Sequence, residues 1–164
     1  MKFGIYSLMA VIFMISCAKD ENDVSTVVIN ELMAVNTHTV KDQNNQYDDW
    51  IELYNNSSGD VDLSGFFLSD SRNNLKKWTF PSGTSIAGKS FLIVWADKDT
   101  LQPGLHTNFK LTAAGEKVYL VTPDLEIWDK VEYDEQTSEV SYSRSPNGVG
   151  EFKWQMPTFN EKNN

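Results

Sequence analysis

The sequence predicts an all-β fold, a sandwich or a barrel, on three observations. Apolar and polar residues alternate in many short runs, the two-residue period of strands with two distinct faces. Clusters of glycine, proline, asparagine and aspartate separate the runs, and these residues turn the chain by supplying a positive or a preset φ. No stretch beyond the amino-terminal segment combines sustained helical amphipathicity with a cap, and no internal repeat is present.

The chain opens on Met1 and Lys2, continues through a mostly apolar run from Phe3 to Ile15, and reaches its only cysteine, Cys17, through Met14-Ile15-Ser16. A short basic start followed by an apolar run of this length reads as an export signal; a membrane-spanning helix needs roughly 20 apolar residues. The layout resembles a bacterial lipoprotein signal, in which residues 1–16 are removed and the new amino-terminal cysteine is acylated. The resemblance implies lipid attachment at Cys17 and anchoring in the bacterial outer membrane. With one cysteine no disulfide forms within the chain. Residues 17–26 carry Ala18-Lys19-Asp20-Glu21-Asn22-Asp23, a charged tether without hydrophobic period. Lys19-Asp20-Glu21 resembles the acidic signal that sends lipoproteins of the Bacteroidetes type to the cell surface; the alternative is a plain tether.

The strands follow in order. Val27, Ile29, Met33 and Val35 alternate with Val28, Asn30, Leu32 and Ala34, which places Glu31 on the Val27 face. Next come Asp49–Tyr54, Ser64–Ser69 and Lys77–Phe80. Phe91-Leu92-Ile93-Val94-Trp95 has no polar residue, the pattern of a central strand buried on both faces. Further strands are expected at Phe109–Leu111, Lys117–Val121, Ile127–Tyr133, Val140–Arg144 and around Trp154. Residues 27–160 form one domain of ordinary size, and 161–164 are read as a polar tail.

The formal charge is −9 at pH 7 and the acidic residues are spread along the chain. Nucleic-acid binding depends on lysine and arginine neutralising phosphates, so no nucleic-acid partner is expected.

Several blocks resemble, in order, those of the lamin tail domain in its bacterial form: Ile29-Asn30-Glu31-Leu32-Met33-Ala34, Asp49-Trp50-Ile51-Glu52-Leu53-Tyr54-Asn55, Val61–Asp70, Trp78-Thr79-Phe80-Pro81, Phe91–Asp97, Leu105–Leu111, Ala114-Gly115-Glu116, Val140–Arg144 and Pro157-Thr158. The resemblance implies an immunoglobulin-like β-sandwich and a non-catalytic interaction module. Chromatin is a partner of the nuclear relatives, which the acidic balance here argues against.

The residues specify no reaction. His38 and His106 stand far apart, and Gly83-Thr84-Ser85-Ile86-Ala87 lacks the second glycine of a nucleophile elbow. No phosphate loop and no His/Cys metal spacing is present. Asp48, Asp49 and Glu52, and Asp97-Lys98-Asp99, are oxygen-rich candidates for a hard cation, but none completes a calcium loop; the sequence reading therefore assigns no catalytic residue, no metal ligand and no cofactor. Glu31 is expected at the core or its rim, held by backbone N–H groups or a cation. Trp50, Trp78 and Trp95 are expected in the core. Strict alternation puts Trp128 with Lys130 and Glu132 on a polar sheet face, opposite Ile127, Val131 and Tyr133, where it is the candidate ligand contact; the alternative is that a neighbouring segment covers it. The expected function is a non-enzymatic, lipid-anchored envelope binding or adhesion module for an unknown protein or glycan. Its alternatives are an assembly subunit pairing through a sheet edge and a calcium-dependent carbohydrate binder or hydrolase.

Overall fold

The computed structural model describes residues 25–163, so Cys17, the signal and Lys19-Asp20-Glu21 lie outside the described residues. The fold is an all-β, immunoglobulin-like sandwich with eleven strands among the described residues. They are β1 (Val27–Met33), β2 (Trp50–Asn55), β3 (Val61–Asp62), β4 (Phe67–Ser69), β5 (Trp78–Thr79), β6 (Ser85–Ile86), β7 (Phe91–Trp95), β8 (Glu116–Val121), β9 (Ile127–Tyr133), β10 (Ser141–Ser145) and β11 (Glu151–Gln155). One sheet runs β11-β10-β1-β2-β7, the facing sheet runs β5-β4-β8-β9, and β3 and β6 form a short ribbon. All strand pairs are antiparallel.

The core lies between the two larger sheets, where Val27, Ile29, Leu32, Ile51, Leu53 and Val94 meet Leu68, Val118, Leu120 and Val131. A second apolar cluster covers the other face of the first sheet. Met33, Trp50 and Trp95 stand in register across β1, β2 and β7, and Phe159 returns over them, its ring edge-on to Trp50 at 5.2 Å. Burial on both faces explains why β1 is buried at all seven positions. Trp50, Trp78 and Trp95 are all buried.

Three expectations are corrected. The apolar strand Phe91–Trp95 is β7 at the sheet edge, with Phe91, Leu92 and Ile93 only half-buried. Its polar-free sequence reflects two covered faces, and residues 105–107 shield its outer edge only at Trp95, through Trp95 N–H to Leu105 O and Thr107 N–H to Trp95 O, both 2.8 Å. Phe109–Leu111 forms no strand; Lys110 makes one isolated bridge with Asp97 while Phe109 and Leu111 bury as loop anchors.

The third correction concerns β1. Ile29 pairs with Leu53 but Glu31 with Glu52, so Asn30 is an extra residue in a bulge. The bulge reverses the alternation, turning Glu31 and Met33 away from the Val27–Ile29 face toward the Trp50 cluster. The Ile29 backbone at the bulge finds side-chain partners, as a buried backbone must: its N–H donates to Asp129 Oδ2 at 2.8 Å and its carbonyl accepts from Arg144 Nε at 3.0 Å.

Candidate functional site

The first sheet ends at β11, which has no strand on its outer side among the described residues. The facing sheet ends at β9, which packs over β1. The β10–β11 pair therefore continues past the core as a ledge. Period-2 alternation puts Tyr142, Arg144, Phe152 and Trp154 on its inner face, with Tyr142 opposite Trp154 and Arg144 opposite Phe152. Tyr142 stands 4.5 Å from Trp154 and 5.1 Å from Phe152, ring centre to ring centre, and the Arg144 guanidinium lies 4.5 Å over Phe152. Tyr142 and Phe152 are half-buried at the core rim, whereas Trp154 is 41 % and the following Met156 76 % exposed.

Arg144 fixes the inner border of this ledge. It forks onto Asp129 at 3.1 and 3.2 Å and reaches the Ile29 carbonyl, clamping β9 to β1. Burial pushes the Asp129 carboxyl above its usual range, and the guanidinium opposes that rise.

Trp128 is not the exposed platform that strict alternation predicts. Leu120 pairs with Asp129 and Val121 with Ile127, so Trp128 is itself the extra residue of a second bulge. It turns under the sheet against Phe66, with ring centres 4.9 Å apart, half-buried beside the core and with its indole nitrogen enclosed. Ile127 takes the outer face, where it lines a cleft of about 410 Å³ with Arg72, Lys117, Tyr119, Lys130 and Glu132. Lys117 and Glu132 pair across that cleft at 2.9 Å.

Glu31 and Glu52 face each other across β1 and β2 and are fully buried. Glu31 accepts from Thr158 N at 2.9 Å and Thr158 Oγ1 at 2.6 Å; Glu52 accepts from Asn30 Nδ2 at 2.9 Å and Asn160 N at 2.7 Å. Burial raises both carboxyls, Glu52 to about 8 with the neighbouring Glu31 adding to the rise. All but the Asn30 donor come from the carboxy-terminal segment, so the pair acts as a latch for it. Asn163 extends it with Nδ2 to Arg144 O at 2.7 Å and N–H to Asn147 Oδ1 at 2.8 Å, so residues 161–163, read from the sequence as a polar tail, are tied to the sheet.

The other acidic candidates separate. Burial pushes the half-buried Asp49 up to about 7 beside Lys110, and Glu52 belongs to the latch. Asp97 instead meets His106, with Oδ2 at 2.5 Å from Nδ1 and both side chains buried. Exposed His38 lies beside Glu139, and Ser85 is an exposed residue of β6 paired with Asp62. The structure thus links neither histidine to Ser85. The ledge was missed in sequence because Tyr142 and Trp154 lie in two runs whose pairing no local pattern specifies; the alternation of Phe152 and Trp154 was its one local signal.

The chain matches the family model of the Lamin Tail Domain over residues 21–135. It belongs to that family, whose immunoglobulin-like domains are typically non-catalytic. No curated protein matches it. β10 and β11, and the ledge with them, lie beyond the matched residues.

Proposed function

We propose that this lamin tail domain is a non-enzymatic binding module of the bacterial cell envelope that captures an extended protein segment along β11. The observation that carries the reading is the ledge: an edge strand beside a ladder of Tyr142, Phe152 and Trp154, the last exposed. An unpaired edge offers backbone N–H and C=O groups to an incoming strand, and aromatic side chains beside it supply the specificity. Glu151 and Lys153 put one charge of each sign along the edge, which discourages indiscriminate pairing. The anchor in this reading is a lipid on Cys17 in the outer membrane, with Lys19-Asp20-Glu21 directing surface display; the order of apolar run, cysteine and acidic tether supports it.

The test is capture from intact envelopes through a photo-crosslinking residue at Lys153, repeated with Trp154→Ala. The variant should change stability by no more than about 0.5 kcal/mol while weakening capture by about 2 kcal/mol. Capture indifferent to Trp154 would remove the ledge as the site, and selective binding on a glycan array, lost in the same variant, would replace the protein partner with a carbohydrate. Cys17→Ser should release the protein from the membrane fraction; normal retention would reject the lipid anchor.

A further inference from the structure

At the end of the sandwich where β1 stops, β2 starts and β7 stops, two loops carry Asp42 and Asp97 to His106. All three are buried, with 6 %, 7 % and 3 % of their surface exposed. One ligand atom from each lies within 4.8 Å of the others. We propose that Asp42, Asp97 and His106 bind a divalent first-row transition metal of the zinc type, which staples the 36–48 loop to the 96–106 loop.

Acidic residues near one another do not make a site; the way their oxygens are used does. Asp42 Oδ1 accepts the N–H groups of Asn44 and Gln46 at 2.9 and 2.8 Å, while its Oδ2 is enclosed and meets no donor. Asp97 Oδ1 accepts from Asp99 N at 2.9 Å, leaving Oδ2 to His106. An unpaired buried carboxylate oxygen is costly, and the one imidazole here is already engaged by Asp97. Asp48 adds a second unmet oxygen nearby: its Oδ2 is also enclosed without a donor.

The donors also select the metal. Two carboxylates and an imidazole suit zinc and its first-row neighbours, whereas calcium takes oxygen ligands alone. A tetrahedral zinc centre needs its ligand atoms roughly 3.4 Å apart, so Asp97 and His106 open slightly from their direct contact and Asp42 closes in. The ring is already oriented. Its Nδ1 points at the carboxylates as the ligating nitrogen and gives up its proton to bind the metal. Its Nε2 meets the Gln43 side-chain amide at 2.5 Å, which turns its oxygen inward to accept the Nε2 proton in the metal-bound state. Water fills the fourth position.

The proposal stands apart from the ledge and is tested by titrating the chelator-treated full chain with zinc, followed by native mass and thermal melting. One zinc per chain and a raised melting temperature are expected. Asp42→Asn keeps an oxygen for Asn44 and Gln46 and so preserves the loop; it and His106→Gln should each weaken zinc by about tenfold or more, with exposed Asp124→Asn unchanged. Cobalt in place of zinc should give visible absorption that His106→Gln alters. No zinc bound by the wild type, zinc binding indifferent to Asp42→Asn, or calcium preferred over zinc would each overturn it.

Discussion

Two buried acidic groups in this sandwich handle charge in opposite ways. Glu31 and Glu52 lie directly opposite each other in the sheet, yet each has its oxygens met by Thr158, Asn160 or Asn30. Asp42 and Asp97 lie in loops, and Asp42 leaves an enclosed oxygen with no donor although Asn44, Gln46 and Asn45 crowd around the same turn. A supplied acid serves as a structural anchor, because each of its oxygens has a donor where it stands. An unsupplied one is stable only with something further. The difference lies in satisfaction, since all four residues are buried.

Deleting residues 156–163 is the strongest way to break the comparison, because it leaves the satisfied pair with Asn30 as its one named donor and makes it resemble the other. It removes Thr158 and Asn160 together with Phe159, which covers Trp50 and Trp95. Urea unfolding should show a loss of about 4 kcal/mol, as expected when a buried aromatic contact and charged hydrogen bonds vanish together. A loss below about 1 kcal/mol would mean that water serves the glutamates as well as the segment does.

The next largest effect is on pH. Burial and the neighbouring Glu31 raise the Glu52 carboxyl from 4.5 to about 8. Between those values the folded protein holds a proton that the unfolded chain has released, so stability falls as pH rises through the window and levels off above it. Asp49, raised by burial from 3.8 to about 7, acts in the same direction. Glu52→Gln imitates the protonated acid, so its advantage over the wild type should be absent near pH 4 and grow steadily up to about pH 8 before levelling off, read from melting temperatures across the range. A constant difference at all pH values would locate the proton elsewhere.

What was legible in the sequence, and what was not, follows from the two bulges. The all-β class, the sandwich and most strands could be read because a period of two survives in each run. The faces of Glu31 and Trp128 could not. One added residue at Asn30 and one at Trp128 reverse every later position, and neither bulge is marked by glycine, the residue that most often signals one. The edge position of Phe91–Trp95 was hidden for another reason: a segment sixty residues away covers the second face, so the composition imitates a central strand. The acidic cluster was half legible. Asp97 was singled out, but Asp42 and His106 reach it through loop closure, where no period connects residues distant in the chain.

The smallest effect has the most distinctive sign. In chelator, Asp42→Asn removes a negative charge near Asp97 and Asp48 while an oxygen still accepts from Asn44 and Gln46. It should therefore stabilise the protein by about 1 kcal/mol, since relieving an unpaired buried group regains part of its desolvation cost. With saturating zinc the same substitution should destabilise relative to wild type, because only the wild type gains the binding energy of the metal. Neutralising Glu31 by Glu31→Gln gives the contrasting control: it loses a charge-strengthened bond from Thr158, and zinc should leave its effect unchanged. If Asp42→Asn destabilised equally with and without zinc, the Asp42 carboxylate would be satisfied within the fold, and the two acidic groups would differ in position alone.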